Sequence, residues 1–180
     1  VNGEVIHSEE VVWFPKTNED PEYHYQGILD SFRRAAEKMP SVDAIGVSSA
    51  GIYIDNEVRV ASLFIKVPEE KYEKAKNIYI DIAKEYGDVP LVVANDGDVT
   101  ALAGAMDLKE NGVLGIAMGT SEAVGYVDKD GNITGWLNEL AFVPVDFQKN
   151  GPIDEWSLDM GTGNKYFSQD AVIRLAETSG

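Results

Sequence analysis

The chain of 180 residues contains no cysteine. It therefore cannot build a disulfide framework or a thiolate metal site, which fits a reducing, cytoplasmic setting. Histidine occurs only at His7 and His24, in a predicted strand and at a predicted helix start, with no second ligand at metal spacing. No metal site is expected from them. Cationic residues are scarce, since 15 Lys and Arg face 31 Asp and Glu, leaving a net charge of 15 − 31 = −16. With no basic run to offset that charge, nucleic acid and anionic membrane surfaces are not expected as partners. Long apolar runs are missing as well: residues 89–94 and 112–118 fall far below a membrane span of about 20 residues. No signal-peptide pattern is visible. What is present is ordinary globular material, 44% apolar and 26% charged. A chain of this length can bury roughly 70% of its unfolded surface, enough for a true core.

Along the chain, Asn2-Gly3 followed by β-branched and aromatic residues to Phe14 predicts a tight turn and its return strand. Asp20-Pro21 predicts a helix start, and Ile28, Phe32, Ala35, Ala36 and Met39 recur at helical spacing behind it. Two strands are expected over 43–48 and 52–60, the second with a turn at Asp55-Asn56. Residues 68–86 read as one helix ended by Gly87, and the wholly apolar 91–94 as a strand buried on both faces. Asn95-Asp96 ends that strand, and Val99, Leu102, Ala103 and Met106 mark the next helix. From Gly112 the pattern turns to strands over 113–118 and 123–127, a turn at 128–131 and a return strand at 132–134. A long loop over 149–164 and a helix over 168–178 capped by Ser168 close the chain. The order predicts an α/β chain with domains at 1–109 and 110–180.

Three places could carry chemistry. Asn95-Asp96 stands at the carboxyl end of a strand where the chain enters a helix, the position at which ligands gather in open α/β sheets. There Asp96 can accept a hydroxyl proton and Asn95 can both donate and accept, although Asn and Asp are equally the preferred caps of a helix start. Gly119-Thr120-Ser121 forms a bend between two strands whose backbone N–H groups and hydroxyls suit a phosphate, or simply close a hairpin. Glu139, set among apolar neighbours, either meets a polar ligand or sits on an exposed edge. No stretch satisfies G-x-x-x-x-G-K-[ST].

In this order the segments resemble the glucokinase-like sugar kinases of the ROK family, in the actin and hexokinase superfamily. Ala44-Ile-Gly-Val-Ser-Ser-Ala-Gly-Ile52 is similar to the family's Gly-Val-Ser-x-Ala-Gly stretch. Val92-Val-Ala-Asn95-Asp96-Gly-Asp-Val-Thr-Ala-Leu-Ala-Gly104 resembles the segment whose Asn contacts the sugar and whose Asp is the catalytic base. Gly115-Ile-Ala-Met-Gly119-Thr120 resembles the phosphate-binding hairpin, Glu139-Leu-Ala-Phe-Val-Pro-Val145 the stretch that closes on sugar hydroxyls, and Tyr166-Phe-Ser168-Gln-Asp-Ala-Val the chain after the family's zinc loop.

The resemblance implies an α/β ribonuclease H-like (actin-like ATPase) fold, comprising the end of an N-terminal domain and the start of a C-terminal one. It implies ATP- and Mg2+-dependent phosphorylation of a hexose or amino-sugar hydroxyl, with Asp96 as base. Asn95, Glu139, Ser49 and Gly51 would hold the sugar, and Gly119, Thr120 and Ser121 the phosphate. The partner would be a small-molecule sugar, with a homodimer possible and the setting cytoplasmic. The alternative is a non-catalytic sugar-binding or sensing module of the same fold. It is motivated by the departures: Glu122-Ala123 stands where the family has x-Gly in Gly-Thr-Gly-x-Gly, Ala141 and Phe142 replace Gly and His, and Asn164 replaces a sugar-binding Glu. Thr162 stands where a Cys is expected, so no zinc is implied. The family's first phosphate loop is expected before Val1 and its adenosine-binding part after Gly180.

Overall fold

The computed structural model describes residues 4–119 and 121–179. Two compact units follow one another, the first ending at Asn95 and the second starting at Asp96.

The first unit opens with an extended segment rather than the predicted return strand, and the turn expected at Asn2-Gly3 lies outside the described residues. Residues 4–14 pair with no strand, and Val5, Val12 and Phe14 stay exposed. Glu9 is ion-paired with Arg34 of the following helix, the Phe14 N–H donates to the Tyr23 hydroxyl at 3.2 Å, and Trp13 packs on the same helix. Its ring lies over Gly27, where an added Cβ would meet Trp13 Cε3 at 2.5 Å. Helix α1, Pro21–Ala36, begins as expected: Asp20 accepts from the Glu22 N–H, and Pro21 fills the first turn, where its missing N–H costs nothing. Strand β1, Ile45–Ser49, is followed by a hairpin of β2, Ile52–Ile54, and β3, Glu57–Val60. Asp55 and Asn56 hold φ of 55° and 65° in its turn, the left-handed pair that a tight hairpin needs.

The helix predicted over 68–86 is broken. A 3-10 turn leads into α2, Tyr72–Lys76, and α3, Ile78–Lys84, runs on from Asn77, whose φ of −101° and ψ of 10° leave the helical region. An amide side chain that competes for local backbone groups favours such a break. Strand β4, Leu91–Asn95, pairs in parallel with β1, Ser49 standing opposite Asn95. Its expected burial on both faces does not hold. Val93 packs into the core of Ile28, Leu29, Val58, Phe64, Ile78 and Ile82, while Val92 is 61% exposed, because the core lies on one face of this sheet only. Asn56 reaches across to β4, donating to Leu91 O at 3.1 Å and accepting from Val93 N–H at 2.8 Å, so it serves as a one-residue strand.

His24 of α1 is fully buried, its ring edge-on to Trp13, Tyr23 and Phe64, and its Nε2–H donates to Asn18 O. Burial lowers its pKa below 6.5, against the opposing pull of the Asn18 carbonyl and the Asp20 charge. The folded state thus keeps a neutral ring, whereas the unfolded chain takes up a proton as pH falls below 6.5. This contribution to stability is complete above about pH 6.5 and is lost as pH falls from there toward the folded-state pKa. The urea midpoint followed by Trp fluorescence should therefore drop between about pH 7.5 and pH 5.5, and His24→Phe should flatten that part of the profile. Equal slopes in the two proteins would refute the assignment.

In the second unit, α4, Asp96–Leu108, lies on an antiparallel hairpin of β5, Val113–Met118, and β6, Glu122–Val127. The buried face of α4 is Gly97, Asp98, Ala101 and Ala105, not the predicted set, and Met106 is 72% exposed. The hairpin supplies the reason. It turns Gly115, Ala117, Ala123 and Gly125 toward the helix, and Cβ atoms built on Gly115 and Gly125 would stand 2.5 Å from Ala101 Cα and 2.2 Å from Gly97 O. Backbone rests on backbone, so small residues of α4 fill the centre of the contact and Leu102 packs only at its margin. The turn at 128–131 is present, with Asp128 accepting from the Asp130 and Asn132 N–H groups, but the return strand shrinks to one bridge, Val127 to Ile133. Because α4 packs on the strands after it, the units change over at Asn95/Asp96, whereas the sequence pattern alone suggested 109/110. The long loop is stitched by bridges Pro144 to Thr162 and Ile153 to Met160 and ends in α5, Gln169–Ser179, whose Ala171 N–H is capped by Ser168.

Candidate functional site

Parallel pairing of β1 with β4 brings Ser49, Gly51 and Asn95 to one end of the first unit's sheet. Asn95 Nδ2 donates to Gly51 O at 2.8 Å, which fixes the amide. Gly51 holds φ of 143°, and a Cβ there would stand 2.3 Å from Val60 O, so only glycine lets the chain pass. Ser49 is buried and takes the Tyr79 hydroxyl at 3.5 Å, with burial pushing that phenol above its ordinary pKa. Ser49 and Gly51 thus shape the strand end, and Asn95 is the polar side chain they support.

The second unit carries the carboxylates. Asp96 opens α4, and its Oδ1 accepts from the Gly97 N–H at 3.1 Å. A cap would instead take the N–H two or three residues on, so the helix start does not consume this side chain as a cap. Two residues further along, on the opposite side of the first turn, Asp98 is buried. It receives the Asn138 Nδ2 at 3.3 Å and the Tyr126 backbone N–H; burial raises its pKa and these two bonds partly oppose the rise. Asn138 precedes Glu139, the centre of a tight turn closed by Leu140 N–H to Asn138 O at 2.9 Å, with φ of −80° and ψ of 55°. These are the angles of an inverse γ-turn. Glu139 sits on an exposed edge, yet its carboxyl is pushed upward, first by lost hydration and then by the charge of Asp96. Asp96 and Glu139 are therefore electrostatic neighbours, and such a pair of acceptors suits the hydroxyl groups of a polyol.

The described residues of the hairpin bend bond within the protein. Gly119 N–H donates to Ser121 O at 3.1 Å, Gly119 O accepts from Gln169 N–H at 2.8 Å, and the Ser121 hydroxyl turns to Glu122 O at 3.5 Å. Thr120 lies outside the described residues. The Glu122 N–H is taken by Asn164 Oδ1 at 3.2 Å. The Glu122 carboxylate packs inward, 2.6 Å from where a Gly163 Cβ would stand; burial raises its pKa and Oε2 has no partner. At the replaced positions, Ala141 and Thr162 are buried and Phe142 is partly exposed. Among the described residues, no three His, Cys, Asp or Glu side chains converge as metal ligands, and no helix is long and apolar enough to cross a membrane.

Asp98, Asn138 and Asp154 matter to this region and were not picked out from sequence. Asp98 was readable only as one more acid near a helix start, and its burial depends on the glycine and alanine contact with the hairpin.

No protein-family model matches the chain, and no curated protein matches its sequence. Solved structures do. A ROK family transcriptional regulator, a homolog of the E. coli MLC protein, superposes with a TM-score of 0.65 at 16% identity, over 88% of this chain and 39% of the regulator. A ROK hexokinase from Thermus thermophilus gives 0.59 at 18% identity, over 88% of this chain and 52% of the enzyme. The chain thus spans about two fifths to one half of these proteins, and its fold is the α/β actin-like ATPase fold that they share.

Proposed function

We propose that the chain is the sugar-recognising part of a ROK-type protein, with Asp96 and Glu139 accepting hydrogen bonds from the hydroxyls of a hexose or amino sugar. The observation that carries this reading is that Asp96 opens α4 while Glu139 centres a tight turn tied through Asn138 to the same first turn of α4, with the Asp96 charge adding to the rise of the Glu139 pKa. ATP and Mg2+ are the groups a kinase of this fold would need. In the hairpin the Gly119 and Glu122 N–H groups are both spent within the protein, so neither is offered to a phosphate. A second reading, phosphorylation of the bound sugar in a cytoplasmic kinase, is favoured by one feature: the Asp96 carboxylate is not used as a cap and could receive a hydroxyl proton.

Calorimetry with glucose, mannose, galactose and their N-acetylamino forms should show binding of at least one sugar. Asp96→Asn should weaken it by about 10- to 100-fold, the value of hydrogen bonds to a charged acceptor. Silence across the panel would refute the proposal. Sugar phosphate formed from ATP, and lost in Asp96→Asn, would carry the second reading, whereas binding without transfer leaves the first.

A further inference from the structure

We propose that Asp98 and Asn138 form a positioning pair that holds Glu139 against Asp96, so that the ligand meets both carboxylates at a fixed separation; this rests on the sugar-binding reading above. Glu139 has no cap bond of its own and belongs to a segment, residues 135–139, that lies in no strand or helix. Two anchors restrain that segment. Trp136 stacks on Tyr126 with ring centres 5.9 Å apart and planes 13° from parallel, and Asn138 donates to Asp98. Asp98 is itself pinned by the Tyr126 backbone N–H. Both anchors therefore end on one residue of β6 and on the first turn of α4, the turn that bears Asp96.

The chemistry of the pair is directional. A buried carboxylate accepts only, and Asn138 presents its amide N–H while its own carbonyl closes the γ-turn around Glu139. Side chain and main chain of Asn138 thus fix the two ends of one short lever, and Glu139 is its tip. Loss of the Asn138 amide frees the lever without adding charge or touching either proposed ligand group.

The test compares Asn138→Ala with the exchange Asp98→Asn/Asn138→Asp. In the exchange, the amide at 98 can still accept from Tyr126 N–H and now donates to the new carboxylate, so bond and net charge are restored in reverse. Two readouts apply: the carboxyl titration of Glu139 by 13C NMR, and affinity for the panel sugar that binds the parent chain. Asn138→Ala should move the Glu139 titration down toward an ordinary glutamate and weaken the sugar about 10-fold, and the exchange should return both close to parent. An unchanged titration in Asn138→Ala, or no recovery in the exchange, overturns the positioning role. If no panel sugar binds, the sugar-binding reading fails, while the titration alone still decides whether the pair places Glu139 beside Asp96.

Discussion

Gly125→Ala should unfold the second unit at denaturant concentrations where the first stays intact. The added methyl would stand 2.2 Å from Gly97 O, 2.4 Å from Asp98 Cα and 2.4 Å from Gly97 C, all backbone atoms of one helix turn. No side chain can rotate away, so α4 must lift from the hairpin and take its small-residue contact with it. Overpacking of a core costs typically 1–3 kcal/mol when side chains yield; with backbone on both sides about 3 kcal/mol or more is expected. Gly104→Ala is the counterpart on the same helix, because its methyl meets only Val113 Cγ1 at 3.9 Å. There the gain in helix propensity, about 0.5–1 kcal/mol, should stabilise. Hydrogen exchange read by mass spectrometry separates the outcomes. Peptides from 96–127 should lose protection in Gly125→Ala while peptides from 45–60 keep theirs, and Gly104→Ala should gain protection in α4. Parent-like exchange in Gly125→Ala would show that the helix does not sit on the hairpin as described.

The same contact explains what the sequence could and could not disclose. The strand ending in Asn95-Asp96, the hairpin turn at Asp55-Asn56 and the β5 and β6 pair were legible because periodicity and turn chemistry are local. The buried face of α4 was legible only in part, since apolar spacing points to Leu102, which packs at the core's margin, and to Met106, which is exposed, while packing buries Gly97, Ala101 and Ala105. That choice follows from Gly115 and Gly125 of the hairpin, which lie beyond the helix and outside any reading of its own spacing. Burial of Asp98 follows from it, and with it the link to Asn138 and the placement of Glu139. The strand predicted near Phe14 failed for the complementary reason: alternation marks a residue's fitness for a sheet, not the presence of a partner. From their own residues Asp96 and Glu139 were readable only one at a time, and it was the family resemblance that set them on one sugar.

The loop from 146 to 166 depends on one carboxylate in a similar non-local way, and Asp154→Ala should release it. Asp154 is fully buried. Its Oδ1 accepts from the Trp156 and Ser157 N–H groups, each at 2.9 Å, and its Oδ2 from Asn164 Nδ2 at 3.0 Å. Burial alone would raise its pKa, but these bonds and the Lys165 charge outweigh it and hold the carboxyl below the ordinary range. Asn164 passes the restraint on, since its Oδ1 accepts from the Glu122 N–H of the hairpin. Removing the acceptor strands three donors, at a cost of about 3 kcal/mol. Asp154→Asn should cost less, about 1–2 kcal/mol: the new carbonyl still serves Trp156 and Ser157, while the new amide opposes the Asn164 amide. Asn164 cannot flip to relieve this without abandoning Glu122. The order parent, Asp154→Asn, Asp154→Ala in urea midpoint, with exchange rising over 146–166 and reaching the Glu122 amide, is the expected result, and EDTA should leave each midpoint where it was. A parent-like Asp154→Ala would mean that the loop is held by its apolar contacts and that the carboxylate is incidental.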